Sequence, residues 1–430
     1  MPGKRKKLDA QLDAPDLTAI YPVLRDGIES FSAQTQNGDF RIALRDGTGI
    51  GSHILWMSED LFYILQFFNG LYSCQEIKSR YFKRYHTFLF DEQLIQLLDH
   101  LDENFFLLNE RSQQRIKEKT KEYRSLPARQ PVCSGTSYAA DASQLCNELE
   151  EYRSTALKQS AENAPRRNGK ITAIVAPHID MRLGGTVYAH AYNALENSQP
   201  ADLYVILGTG HQVLRNHIAL TTKSYRTPLG LVETDAAIAE RIVKQANYDF
   251  FEDELMHQNE HTIEFQCIFL QQYLKSGFKI LPVLCSFPYH VFKYEDSSER
   301  QLVTLFIDSI KSVLNEFNGR VCFIASVDLA HIGPRYGDRG SPDGYLLAQC
   351  ERNDRELLHA LCQLDDNAFQ NLMEANDNRF RVCGYAPLMI LMKTLSPSTG
   401  ELLSYASASV DEKKSIVTFA TALFSANSTI

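Results

Sequence analysis

Three histidines stand just downstream of apolar, β-branched stretches: His178 after "ITAIVAP", His211 after "LYVILGTG" and His331 after "VCFIASVDLA". Imidazole is the commonest protein ligand for transition metals and the side chain whose charge changes near neutral pH, so each position suits either coordination or proton transfer. An isolated histidine in such a place is more often a hydrogen-bonded loop residue. Three on separate stretches point to a shared site, because open α/β sheets gather ligands beyond the carboxyl ends of their strands. Two imidazoles plus one further group would leave coordination positions free for a substrate, and spacing alone does not choose that group.

Other residues offer partners or rivals. Asp328 lies three residues before His331; in a helix or tight turn it would orient that ring and leave the other nitrogen to move protons, or the two would simply brace a loop. "HQNEH", His257 to His261, matches the H-x-x-E-H pattern of inverted zinc proteases, with Glu260 as base, although a distant acidic ligand would still be needed. His261 and Glu264 share a helical face at i,i+3 spacing, which suits a hydrogen-bonded pair behind a metal or an ordinary surface contact. "GTGIG" at 47–51 and "GTG" at 208–210 lack the spacing of a nucleotide-binding fingerprint and read as turns, and no G-x-S-x-G elbow occurs.

The elements that must position these residues form an α/β pattern. Apolar strands are expected at 171–176, 203–207, 279–285 and 321–326, alternating with helices near 186–197, 235–246, 260–275 and 299–317. Two late strands follow, joined by the charged turn Asp411 to Lys414. Such alternation predicts a mostly parallel sheet covered by helices.

Upstream, "SEDLFYILQFFN" (58–69) predicts a helix capped by Ser58 and stopped by Gly70. Ser73 and Glu76 have capping-box spacing for a second helix, Asp91 opens a third, and "FFLLN" (105–109) reads as a strand. The expected organisation is a tail at 1–34, a small α+β domain of the winged-helix kind at 35–110, a charged, partly helical linker at 111–130, and the α/β domain at 131–430. No basic face is concentrated on the small domain's helices, which favours a peptide or protein partner over DNA.

Composition narrows the class. With 44 Lys and Arg against 53 Asp and Glu, the net charge of -9 provides no field for nucleic acid or an anionic membrane, apart from the run Lys4 to Lys7, which reads as a solvated tail. No stretch approaches the roughly 18 apolar residues of a membrane helix, and the basic run does not begin a secretory signal. Nine cysteines without a C-x-x-C pair suit reduced thiols in a cytoplasmic setting.

A resemblance adds to this. "VAPHIDMRLGGTVYAHAY" (175–192), "ILGTGHQ" (206–212), "SYRTPLG" (224–230), "NEHTIEFQ" (259–266), "LPVL" (281–284), "SVDLAHIG" (326–333) and "VCGYAPLMIL" (382–391) resemble the Memo family, also called AmmeMemoRadiSam system protein B. That family is similar in fold to the catalytic subunit of class III extradiol dioxygenases. The resemblance covers about residues 131–430 and implies a metal held by His178, His211 and Cys383, with Asp328 and His331 beside it and His261 and Glu264 in the cleft. A His2Cys set suits Fe(II), copper or zinc, iron being expected here. Without the resemblance, Cys383 would read as a small buried hydrophobe. The implied activity is a mononuclear non-haem iron redox enzyme acting on an unknown small molecule or peptide, with a radical S-adenosylmethionine protein and an AmmeMemo protein as partners. A metal-handling or peptide-binding module is the alternative.

Overall fold

The computed structural model describes residues 16–34, 40–51, 53–160, 170–212, 214–274, 277–395 and 398–426. The chain divides into two compact units, Met1–Lys121 and Glu122–Ile430.

The first unit opens with an antiparallel three-stranded sheet, β1 (Ile28–Gln34), β2 (Phe40–Asp46) and β3 (Leu55–Met57), in spatial order β1-β2-β3. Three helices follow, α1 (Glu59–Leu65), α2 (Cys74–Tyr85) and α3 (Asp91–Glu103), and then α4 (Glu110–Ser125). The Ser73–Glu76 capping box forms in both directions and satisfies two orphan donors at the start of α2. Leu44, Met57, Ile64, Phe68, Ile77, Leu94, Leu101 and Phe106 fill the small core.

Three expectations change here. Residues 28–34, expected in a tail, form β1, whose alternation is masked by its mostly polar composition. The helix expected over 58–69 ends at Leu65, because Phe67 and Phe68 tighten into three-residue turns on Ile64 and Leu65. The strand expected at 105–109 reduces to a single bridge, Leu24 to Leu107, because Phe105 adopts a left-handed φ of 61° that breaks extended pairing. Most of the expected linker is α4.

The second unit contains, in chain order, β4 (Ala128–Arg129), α5 (Ala142–Ser160), β5 (Ile171–Ala176), α6 (Met181–Glu196), β6 (Leu203–Thr209), β7 (Ile218–Leu220), β8 (Ser224–Thr227), β9 (Gly230–Val232), α7 (Ala236–Ala246), α8 (Thr262–Leu274), β10 (Lys279–Cys285), α9 (Ser298–Asn315), β11 (Val321–Ser326), β12 (His331–Ile332), α10 (Gly344–Cys362), α11 (Asp366–Ala375), α12 (Tyr385–Thr394), β13 (Ser398–Ser409) and β14 (Ile416–Ala426). Its large sheet runs β12-β14-β5-β11-β6-β10-β7, with β13 paired to β14. The four central strands β5, β11, β6 and β10 are mutually parallel, and antiparallel strands flank them.

Period-two alternation divides the buried strands between two cores. Leu203, Val205 and Leu207 of β6 pack with Ile238, Phe306 and Leu388 on one face. Tyr204 and Ile206 pack with Tyr188, Tyr192 and Phe269 on the other. No helix among the described residues is long and apolar enough to cross a membrane.

Asp354 of α10 is buried where this packing meets the C-terminal hairpin. Its Oδ2 accepts from the Thr418 hydroxyl at 2.6 Å and the Tyr405 hydroxyl at 2.9 Å, and Thr418 Oγ1 in turn accepts from Ala330 N–H. Burial pushes its carboxyl up to about 6, against the hydrogen bonds that pull it down. The folded state therefore binds this proton more tightly than the unfolded chain, so the stabilisation is complete below the unfolded value near 3.8 and is lost as pH rises through about 6. Between pH 4 and pH 8 the wild type is expected to lose about 2 kcal/mol more than Asp354→Asn. Urea unfolding midpoints of both proteins at the two pH values check this, and parallel pH profiles would contradict it.

Candidate metal centre

Sheet order explains why distant residues converge. β11 lies between β5 and β6, with Ser326 in register with both Ala176 and Gly208. From that common row, parallel strands carry His178 and Asp328 two residues further and His211 three residues further over the same sheet edge. The start of α8 closes against this edge: a Cβ at Gly208 would lie 2.6 Å from Thr262 Oγ1, so only glycine admits the approach. Thr262 Oγ1 donates to Thr209 O, Ser326 Oγ donates to Thr262 O, and Gln266 Nε2 donates to Pro177 O and Ser326 Oγ.

The hydrogen bonds fix which ring nitrogens face the site. His178 is 2% exposed, and its Nδ1 lies 3.0 Å from Ser326 O. A carbonyl only accepts, so Nδ1 carries the proton and Nε2 keeps its lone pair. Burial, then the neighbouring His211 and His261, holds this imidazole well below its ordinary pKa, and hence neutral. His211 Nδ1 lies 3.1 Å from both oxygens of Glu260, which assigns its free lone pair to Nε2 as well. The His178 ring meets the His211 and His261 rings edge-on at 5.0 and 5.7 Å, and those two stack on each other at 5.0 Å. The His211 side chain is 38% exposed, so the cluster opens to solvent on that side.

Glu260 is the carboxylate that organises the rings, a role the sequence reading did not give it. Besides the His211 ring, its oxygens accept from the backbone N–H of His211, His261 and Thr262, and Oε1 lies 3.2 Å from His261 Nδ1. Burial favours its protonation, but His211 and His261 hold it well below the usual carboxylate range. Its direct adjacency to His261 at the entry to α8 is the sequence signal that could have singled it out, since carboxylates are favoured at helix N-termini. Replacing it by Gln keeps the shape and halves the acceptor capacity. Glu260→Gln is expected to weaken metal binding about 10- to 100-fold, as measured by competition with a chromogenic chelator.

The remaining site residues are placed as follows. Asp328 serves His178 rather than orienting His331: its Oδ1 accepts from His178 N–H at 3.0 Å and Ile179 N–H at 3.3 Å, and Oδ2 lies 3.6 Å from His178 Nε2. Burial pushes its carboxyl up to about 7, opposed by those N–H bonds. His331 is held by the carbonyls of Leu329 and Arg381 at 3.0 and 3.1 Å from Nδ1, and burial lowers its pKa to about 4. Glu264 stands apart from His261. Its carboxylate accepts from Arg129, from the Tyr138 hydroxyl and from the N–H groups of Val132 and Cys133, in full burial.

Cys383 arrives from the loop before α12. Its Sγ lies 3.4 Å from His178 Nε2 and 3.5 Å from Asp328 O. A Cβ at the next residue, Gly384, would stand 2.6 Å from Val327 Cβ and 2.8 Å from Asp328 O, so the loop packs this closely only with glycine there. Burial, then Asp328, pushes the thiol well above its ordinary pKa. Arg381 does not offset this, because its guanidinium pairs with Asp338.

One donor atom each from His178, His211 and Cys383 lies within 4.8 Å of the others, and the same holds for His211, Glu260 and His261. Tetrahedral coordination at about 2.0–2.3 Å puts donor atoms about 3.5 Å apart. The Sγ to Nε2 separation meets that requirement, and the buried, neutral His178 ring and the soft sulfur fit a transition metal.

The inverted zinc-protease pattern does not assemble. His257 lies in a 3-10 turn, Glu254–Gln258, that breaks before α8, so it and His261 do not share one helical face. Its ring is fully buried between the Tyr225 hydroxyl and Ala219 O, and burial lowers its pKa to about 3.

The Memo-like protein family matches residues 129–423. The chain belongs to the Memo family. A MEMO1 family protein of Aquifex aeolicus is 28% identical over 368 residues, covering 85% of this chain and 91% of that protein. Such coverage exceeds the second unit, so the likeness extends into the first. A MEMO1 family protein of Methanopyrus kandleri is 29% identical over 290 residues, covering 65% of this chain and 92% of the relative. An uncharacterized protein of Escherichia coli K12 superposes at a TM-score of 0.35 and 13% identity, over 59% of this chain and 99% of its own, too loosely to assign a fold.

Proposed function

We propose that this Memo protein is a cytoplasmic metal-dependent oxidoreductase that holds one non-haem iron through His178 Nε2, His211 Nε2 and Cys383 Sγ. The observation that carries the reading is the convergence of two imidazoles from the ends of parallel strands with the Cys383 sulfur from the loop before α12. Two nitrogens and a soft sulfur favour iron, copper or zinc over magnesium or calcium. Iron bound there supplies Lewis-acid activation and one-electron exchange.

The chain's own residues do the rest. Ser326 O and Glu260 lock the two imidazole tautomers. Asp328 fixes the His178 backbone and stands beside its Nε2. His331, its Nδ1 pinned by two carbonyls, presents Nε2 as a proton acceptor at the edge of the cleft. A small molecule or a peptide segment enters over the exposed flank of His211.

The four-stranded parallel centre supports kinship with the class III extradiol dioxygenase fold. A thiolate where those enzymes carry a carboxylate argues for a different reaction. The first unit, read as a winged-helix-like module, would recruit the partners of an AmmeMemoRadiSam-type system, namely a radical S-adenosylmethionine protein and an AmmeMemo protein.

The test is oxygen-free purification without a histidine tag, followed by quantification of iron, copper and zinc. About one iron per chain, redox-active on titration with dithionite, is expected. Stoichiometric zinc, or iron that does not cycle, would replace the oxidoreductase by a metal-handling protein.

A further inference from the structure

From the first unit we infer a second binding site, independent of the metal reading: a groove that takes an extended peptide as a fourth strand of the β1-β2-β3 sheet. β3 is an edge strand, paired to β2 alone through Ile42 to Met57, Ala43 to Trp56 and Leu44 to Leu55. Among the described residues no other backbone bonds to its outer side. Free strand edges of this kind accept another chain by main-chain hydrogen bonds. Natural proteins blunt such edges with short strands, Lys, Pro or a bulge; β3 is three residues long, and Leu55, Trp56 and Met57 bring no charge, Pro or bulge.

A groove of about 570 Å³ runs along that edge, walled on the far side by Gln93, Gln96, Leu97 and His100 of α3. Those four lie at i, i+3, i+4 and i+7, one face of the helix. Ile54 and Trp56 are 46% and 52% exposed. The register puts Phe31, Ala43 and Trp56 in one cross-strand row, and the Phe31 and Trp56 rings meet edge to face at 6.0 Å over the small alanine.

Charge selects the occupant. α3 holds Asp91, Glu92, Asp99, Asp102 and Glu103 and no Lys or Arg. Asp91 is paired with Lys78 and Asp102 with Arg111, whereas Glu92, Asp99 and Glu103 are exposed and have no ion-pair partner among the described residues. Glu59 is exposed at the adjoining start of α1. Apolar side chains of Leu55, Trp56, Met57 and Leu97 line the groove together with Asp60, and the helices beside it carry these further carboxylates, which fits an extended segment of a partner protein that alternates apolar and basic residues.

Trp56 is the sole tryptophan of the chain and lines the groove, so its emission reports occupancy directly. The full-length protein is titrated with a capped heptapeptide of alternating Lys and Val. A saturable blue shift is expected, absent with the Glu and Val counterpart and abolished when alternate backbone amides of the Lys peptide are N-methylated in the register that faces β3. Leu97→Lys should weaken binding at least tenfold. Gln96→Lys, at an exposed position of the same face, should do the same and keeps the test free of a folding defect in the first variant. The proposal is overturned if no saturable shift occurs with millimolar Lys peptide, or if both N-methylation registers bind equally. A shift of Trp56 emission on removal of residues 1–15 alone would instead give the groove to the chain's own Lys4 to Lys7 run, and would likewise overturn it. Metal content enters none of these readouts, so the two readings fail separately.

Discussion

His178→Ala combined with Cys383→Ser is expected to bring bound metal from about one equivalent to below one-tenth per chain while the fold persists. His178 contributes the most buried donor nitrogen, and its removal leaves His211 with only His261 and Glu260 on the more open side of the cluster. Serine at 383 retains the volume and removes the soft donor. Cys383 is a thiol in the metal-free site, so each metal ion bound must displace its proton. Uptake by the wild type should therefore release about one proton and tighten about tenfold per pH unit between pH 6 and 8. Cys383→Ser alone should flatten that slope. Metal analysis after gel filtration and chelator competition at several pH values provide the measurements. Undiminished metal in the double variant would refute the ligand set.

Arg129→Met is expected to destabilise the second unit by about 3–5 kcal/mol, because it leaves Glu264 charged and unpaired in full burial. The guanidinium has no solvent exposure, and it also donates to His257 O at 3.1 Å and to Glu260 O at 2.6 Å. Loss of Arg129 thus frees the backbone of the residue that orients both His211 and His261, and metal affinity should fall along with stability. A double variant, Arg129→Met with Glu264→Gln, removes the stranded charge and should recover part of the stability, since apolar replacement of a buried pair is often nearly neutral. Urea unfolding monitored by far-UV dichroism supplies the comparison. A cost below about 1 kcal/mol for the single variant would refute this account of the buried pair.

Much of this architecture is legible in residue order, for identifiable reasons. β5, β10 and β11 are short apolar runs bounded by turn residues, and their parallel arrangement makes the histidine that follows a strand a statement about place. Cys383 carries no such mark. It reaches the cluster from a loop 205 positions after His178, and only family resemblance singled it out. The carboxylates divide for a local reason: i,i+3 spacing favoured Glu264 as partner of His261, yet the helix begins only at Thr262, so Glu260 lies against the rings while Glu264 turns inward to Arg129. β1 stayed hidden because its residues are mostly polar and partly exposed, which blurs the alternation that marks a strand.

The position of β11 between β5 and β6 also dictates when the centre comes into being. During synthesis β5 and β6 emerge well before the strand that separates them in the finished sheet, and Cys383 emerges later still. Neighbouring strands drawn from such distant parts of the chain make their contacts late. A nascent or truncated polypeptide ending before Val321 would possess His178, His211 and His261 but lack the β11 strand between β5 and β6 and the Cys383 thiol. On the proposed ligand set, a metal would find all three donors together only after Cys383 has been made.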